Sequence, residues 1–412
     1  MWNRVMKSAA VATSVGLIVA AIAPLWAKEQ TMSAPVQAAT AENQFGFNIL
    51  HELAGKNPNA NTFISPTSIH LALSMTLNGA AGGTRDEMAK TLGLGGFDLP
   101  TINTNNEALI DQLQAGSETG GSVEIANSLW AKQGLDFRPN FIDAVKKRYD
   151  ASLQTLDFSS PSAVGTINNW VKDKTAGKIP SIVDRISPGA ILYLINAVHF
   201  KAAWQTPFPV ALTKSATFTT GAGASTDVSM MNRAGHFHYG ESATYQAVQV
   251  PYKGGRYVMY VVLPKSGQKL ADVVGALNGH SWGELKQGLG ERRGHLGMPK
   301  TNATFSDSLV PALKALGMTS AFDGAVADFK PMIDTQDSVS IGDVKHKTFI
   351  AIDEQGTEAA AVTSVEMLKS LAMPDSGEPF TMTVDHPFLI AIEERTTGAL
   401  VFLGEINDPT KG

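Results

Sequence analysis

Asp353–Met373, DEQGTEAAAVTSVEMLKSLAM, is the stretch on which the fold turns. It is long, rich in small residues and free of proline. No proline occurs between Pro331 and Pro374, so each backbone N–H there remains a donor. Read with a period of two, one face carries Thr357, Ala359, Ala361, Thr363, Val365 and Met367, small or apolar throughout. The other carries Glu358, Ala360, Val362, Ser364, Glu366 and Leu368 and is more polar. One buriable face at that period describes a latent strand. The competing reading is a surface helix, since Glu, Ala and Met are good helix formers, although a helical wheel scatters the apolar residues without a stripe.

Strand signals flank the stretch, at Thr348–Ile352 before it and Met382–Glu393 after it. They dominate from Leu192 onward, in LYLINAVHF, AVQVPY, YVMYVVLP, KTFIAI, FLIAIEE and ALVFLGEI, β-branched and aromatic runs bounded by Gly and Pro. Nearer the N-terminus the spacing is helical. Phe45, Ile49, Leu50 and Leu53 recur that way, as do Ile69, Leu71, Leu73, Met75 and Leu77 behind Ser65-Pro66-Thr67-Ser68. A hydroxyl cap with proline in the first turn starts a helix well. Asn168–Thr175 reads as a further helix, stopped by Gly177. Helices followed by segregated strands predict an α+β protein. No second linker and no fixed-period repeat follows Phe45, so residues 44–412 are expected as one large domain.

The N-terminus carries an address. Arg4 and Lys7 precede an uncharged apolar run from Ser8 to Trp26, broken by Pro24, with a cleavage site after Ala27. Residues 1–27 thus read as a secretory signal peptide, an uncleaved anchor being the alternative. Its removal takes two positive charges and no acid, moving the formal charge from −5 to −7. Residues 28–43, polar and small, read as a flexible tether. The chain is expected to be exported, to the periplasm or outside, without membrane attachment once cut. It has no cysteine, so an exported fold must rely on core burial, and no thiol nucleophile or cysteine metal site is available. No block of like charge points to nucleic acid.

Enzyme chemistry finds little footing. GAAGGT at Gly79–Thr84 lacks the Gly-Lys-Ser/Thr that cradles phosphate. His236 and His238, with Glu241 nearby, lack a third metal ligand at defined spacing, and no G-x-S-x-G elbow occurs. No metal, cofactor or catalytic residue is expected.

Several segments carry a resemblance in order along the chain: TFISPTSIHLALSMTLNGAAGGT (Thr62–Thr84), NSLW (Asn127–Trp130), INAVHFKAAWQTPF (Ile195–Phe208), VPYKGGRYVMYVVLP (Val250–Pro264), MPK (Met298–Lys300), IDEQGTEAAAVT (Ile352–Thr363) and MTVDHPFLIAI (Met382–Ile392). They resemble the serpins from about residue 45 to 409. The resemblance implies an α+β fold of eight to nine helices and three β-sheets, with an exposed reactive-centre loop. It implies a hinge at Glu354, Gly356, Thr357, Glu358, Ala359, Ala360 and Ala361. It further implies a polar cluster of Ser65, Ser68, Asn196 and His346 where the main sheet parts, Trp204 at the sheet's top, and Lys300 as ion-pair partner of Glu354. The partner implied is a target serine protease, trapped covalently by a monomer as the cut loop enters the sheet. Counting from the hinge places the reactive bond at Ser370–Leu371, suiting an elastase-like or subtilisin-like target, while a hinge one residue shorter gives Lys369–Ser370 and a trypsin-like one. A non-inhibitory carrier or chaperone of the same fold, and a binding module that never meets a protease, are the alternatives.

Overall fold

The structure, a computed structural model, describes residues 32–115, 121–187, 190–335, 339–358 and 378–411. The expected signal peptide, the hinge residues Ala359, Ala360 and Ala361, and the expected reactive bonds among Lys369, Ser370 and Leu371 lie outside them. From Ser33 onward the chain forms one unit.

Four helices come early: α1 (Ala34–Lys56), α2 (Pro66–Leu77), α3 (Gly82–Thr91) and α4 (Leu99–Gln114). Next come α5 (Pro139–Tyr149) and α6 (Ala163–Lys174), and later the short α7 (Leu270–Gly275), α8 (Gly279–Gln287) and α9 (Val310–Ala315). The α2 start follows its sequence signal, because Ser65 Oγ accepts the Ser68 N–H at 3.3 Å and Pro66 occupies the first turn. Every residue of α2 is buried, which explains why its apolar residues do not keep to one stripe.

The first helix corrects one expectation. Residues 34–43, read as tether, are the opening turns of α1, with Ala38, Ala39 and Glu42 buried. Small and polar composition suggested a linker, but Ala and Gln are helix formers, and packing against the body of the protein decided the conformation.

Fifteen strands among the described residues make two hydrogen-bonded sheets. The nine-stranded one runs β1 (Thr62–Ile64), β15 (Leu400–Ile406), β14 (Phe388–Glu394), β8 (Tyr257–Pro264), β7 (Tyr245–Pro251), β6 (Ser225–Glu241), β9 (Gly290–Pro299) and β13 (Phe380–Thr383), with β5 (Lys214–Thr219) also on β6. The 17-residue β6 is long enough to serve two of the three expected sheets. Its first residues pair with β5, Met230–Tyr239 with β9, and only Tyr239–Glu241 with β7, so the ladder passes from one sheet into the next without a break.

The six-stranded sheet runs β10 (Thr301–Ser308), β11 (Ile341–Ile352), β12 (Gly356–Thr357), β4 (Leu192–Ala203), β2 (Ser122–Lys132) and β3 (Ser152–Leu156). A core fills the space between the sheets, joining Val198, Phe200 and Ile350 of the smaller to Met259, Ile390 and Phe402 of the larger. On the smaller sheet's other face Trp130, Tyr193 and Ile195 pack beneath Ile167 and Val171 of α6.

Candidate functional site

β4 and β11 lie parallel and paired from Leu192 and Ile341 up to Val198 and Thr348. Above that pair they part, and β12 fills the opening. Thr357 sits opposite Ala202 on one side and Ile352 on the other, with Gly356 opposite Ala203. The chain reaches this place through a turn after Ile352, closed by Asp353 Oδ1 accepting from the N–H groups of Gln355 and Gly356 at 2.8 and 3.2 Å. Gly356 is required by close approach: a Cβ there would run into the Ala202 carbonyl and lie 2.7 Å from Ala203 Cα.

Thr357 faces the core, 1% exposed, and shares a hydroxyl–hydroxyl bond of 2.6 Å with Tyr252, whose own ionisation burial strongly opposes. Tyr252 stacks on Trp204 at 4.5 Å between ring centroids. Trp204 donates from its indole to Asp353 O at 2.9 Å and from its backbone N–H to Gln355 O at 2.8 Å. Glu354 is fixed by Lys300 at 2.7 Å and by the Thr213 hydroxyl at 2.8 Å. Burial works against the Glu354 charge, but Lys300, Thr213 and a backbone N–H outweigh it and hold the carboxyl below its usual range. β12 ends at Thr357, and the next residue, Glu358, has φ +50°.

Lower on the same seam is a second polar cluster. Asn196 of β4 and His346 of β11 are register partners, joined by His346 Nδ1 donating to Asn196 Oδ1 at 2.5 Å. His346 Nε2 accepts the Ser65 N–H at 3.1 Å, and the Asn196 amide donates to Ser68 Oγ and to Asn127 Oδ1. An imidazole that donates at one nitrogen and accepts at the other is neutral. Burial enforces this, lowering its pKa to about 3 against a smaller upward pull from the Asn196 bond.

The structure therefore gathers the sequence-predicted residues in two places. Ser65, Ser68, Asn196 and His346 form one hydrogen-bonded set beneath the closed part of the seam. Glu354, Gly356, Thr357, Trp204 and Lys300 form another at its open end. Asn127, Tyr252 and Thr213 were not singled out from the sequence. Asn127 did leave a signal, a polar residue in the middle of an apolar strand, where burial demands a partner. Away from the seam, His236 and His238 lie exposed on β6, with His236 Nδ1 facing Glu291 at 3.7 Å. Among the described residues no three potential metal ligands gather, and no helix is long and apolar enough to cross a membrane.

An α+β protein whose smaller sheet is parted at one end by a segment of its own chain belongs to a narrow structural class. The chain is a member of the serpin family: the family profile, described as serpin (serine protease inhibitor), matches residues 40–409. An uncharacterised serpin-like protein of Thermococcus kodakarensis is 36% identical over 374 residues, covering 90% of this chain and 86% of that one. Among solved structures, the thermophilic serpin Tengpin in its native state superposes with a TM-score of 0.83 at 30% identity, over 90% of this chain and 94% of its own. Human thyroxine-binding globulin, solved in complex with thyroxine, superposes with a TM-score of 0.84 at 27% identity, over 92% of this chain and 100% of its own. The family is described as one of protease inhibitors, although thyroxine-binding globulin shares its fold.

Proposed function

We propose that the chain inhibits serine proteases irreversibly by letting the cut reactive-centre loop become the middle strand of the six-stranded sheet. The observation that carries the reading is β12, whose Gly356 and Thr357 pair with β4 and whose Thr357 also pairs with β11, as an inserted strand would. Continuing that antiparallel register downward would set Ala361 between Thr348 and Val198, and Thr363 between His346 and Asn196. Those residues are now partners of each other. Insertion would move them from neighbouring strands, about 4.8 Å apart, to strands separated by a third, so the His346–Asn196 bond must break.

In this mechanism the protease serine attacks the carbonyl carbon of Ser370 (Lys369 in the alternative). The peptide bond breaks, the amine of Leu371 (Ser370 in the alternative) leaves with a proton, and an ester joins loop to protease. Hydrolysis of that ester would release a working enzyme. Fourteen steps from Gly356 to Ser370 at about 3.3 Å each move the ester roughly 46 Å along the sheet. Distortion of the captured protease displaces its oxyanion donors and stops deacylation. The small hinge residues fit this order of events, since Gly356 and Thr357 already occupy the opening between β4 and β11. A signal peptide over residues 1–27 would deliver the inhibitor outside the cytoplasm.

Incubating the chain with elastase, subtilisin and trypsin and resolving the products on denaturing gels tests the reading. A covalent band at the summed mass is expected with at least one of them, and the mass of the released C-terminal peptide identifies the bond cut. Loop cleavage by every protease without any such band would leave a carrier of the same fold as the better description.

A further inference from the structure

The two-residue insertion stops abruptly, and the residue that stops it is unusual. Glu358 adopts φ +50°, a left-handed conformation that side chains with a Cβ avoid. Its N–H still donates to Ala351 O at 2.9 Å, so its backbone donor remains paired with β11. Its side chain is only 3% exposed, and carboxylate Oε1 has no hydrogen-bond partner among the described residues. A buried carboxylate is unfavourable unless opposite charge or donors face it. Here they do: His199 Nε2 of β4 donates to Oε2 at 2.5 Å, and Lys178, in the segment after α6, places Nζ at 3.1 Å from the same oxygen.

We infer that Lys178 and His199 are positioning residues that clamp Glu358 and thereby hold the hinge at two inserted residues. The clamp draws on three separate parts of the chain. His199 lies on the α6-facing side of β4, and its other nitrogen faces Glu124 of β2 at 3.7 Å. Lys178 also lies 5.8 Å over the ring of Phe349 on β11. Both strands bordering the opening, and the segment that crosses them, thus converge on one side chain of the hinge. For the strand to extend past Thr357, Glu358 must abandon φ +50° and swing its carboxylate away from both partners. Burial opposes the Glu358 charge, but His199 and Lys178 outweigh it and hold the carboxyl below its usual range, so the Glu358 carboxylate is charged at neutral pH. The sign follows: its contribution is present above the ordinary carboxylate range and is lost as pH falls through the lowered value.

As a restraint on the resting hinge this inference stands on geometry alone; as a brake on further insertion it rests on the inhibitory reading. Hydrogen exchange on the intact chain, with no protease present, separates the two. The probes are the Glu358 amide, bonded to Ala351 O, and the Trp204 amide, bonded to Gln355 O. In the double variant His199→Gln, Lys178→Ala, and independently in Glu358→Ala, both amides are expected to exchange at least about tenfold faster at pH 7. Amides linking β10 to β11 should keep their wild-type rates. Unchanged rates at Glu358 and Trp204 overturn the clamp. So does an acceleration shared equally by the β10–β11 amides, which would mark His199 and Lys178 as general stabilisers. Either result leaves the covalent-complex test untouched, and a missing covalent complex leaves this one untouched.

Discussion

The two sheets of this protein are held by different chemistry. In the nine-stranded sheet β8, β14 and β15 are buried at every residue, and the contacts across them are chiefly aliphatic and aromatic. In the six-stranded sheet the seam between β4 and β11 is crossed by the Asn196–His346 bond, with Asn127 of β2 bonded to Asn196 on the other side and the Thr348 hydroxyl donating to Phe63 O nearby. Apolar packing has no substitute partner once strands separate, so parting it costs in proportion to the area exposed. A polar seam differs, because each hydrogen bond is worth only about 0.5–1.5 kcal/mol net and an incoming strand offers replacements. One sheet is built to stay closed. On the proposed mechanism the other can open, an incoming strand supplying partners in place of bonds such as His346–Asn196.

The largest expected break in that contrast comes from closing the seam to its incoming strand. Thr357→Arg would put an unpaired charge against Tyr252 in a space now 1% exposed. Covalent trapping should fall at least about tenfold, with the loop cut as a plain substrate, measured by titrating the moles of chain consumed per mole of protease. Undiminished trapping would mean that Thr357 need not be buried.

A smaller pair of substitutions sharpens the comparison. Ile390→Ala hollows the core face of β14 and should cost about 2–5 kcal/mol in intact and loop-cut forms alike. Asn196→Ala removes the acceptor of His346 Nδ1 and should cost the intact form about 1–3 kcal/mol. The loop-cut form, in which the two strands would be separated, should lose less, because only the Asn196 bonds to Ser68 and Asn127 would remain to be lost there. Urea unfolding of both variants in both forms gives the four values, and an equal Asn196→Ala cost in each form would put the seam's opening in doubt.

The sheets should also respond oppositely to pH. His346, with a pKa lowered to about 3, charges more readily in the unfolded chain, so its contribution is present above about pH 6.5 and is lost as pH falls toward 3. His70 in α2, lowered to about 4 by burial, acts in the same direction. Glu405 of β15 is raised to about 7 by burial, so its contribution is present below about pH 4 and is lost as pH climbs through 7. In thermal melts, His346→Gln should flatten the acid limb and Glu405→Gln the neutral one. Unaltered limbs would remove both groups from the account.

Much of this was legible because local chemistry and global fold agree. The cap at Ser65 and the apolar runs of β4, β8, β14 and β15 keep in the structure the roles their patterns suggest. Gly356 and Thr357 likewise sit at a close approach and a small buried site. The tether misread shows where composition fails, since Ala38 and Glu42 are buried by contacts far along the chain. The convergence of Lys178, His199 and Glu358 left no local trace, because its members are brought together only by the sheet's topology. His199 on its own reads as one more residue in a strand.

On the proposed mechanism the cut loop is more stable as the middle strand of the six-stranded sheet than outside it. Thermal unfolding of the chain before and after a single cut in the loop measures that preference directly. A midpoint higher by about 10 °C or more in the cut form is the predicted result, the equivalent of several kcal/mol in a protein of this size. A cut form that melts at or below the intact midpoint would contradict the account.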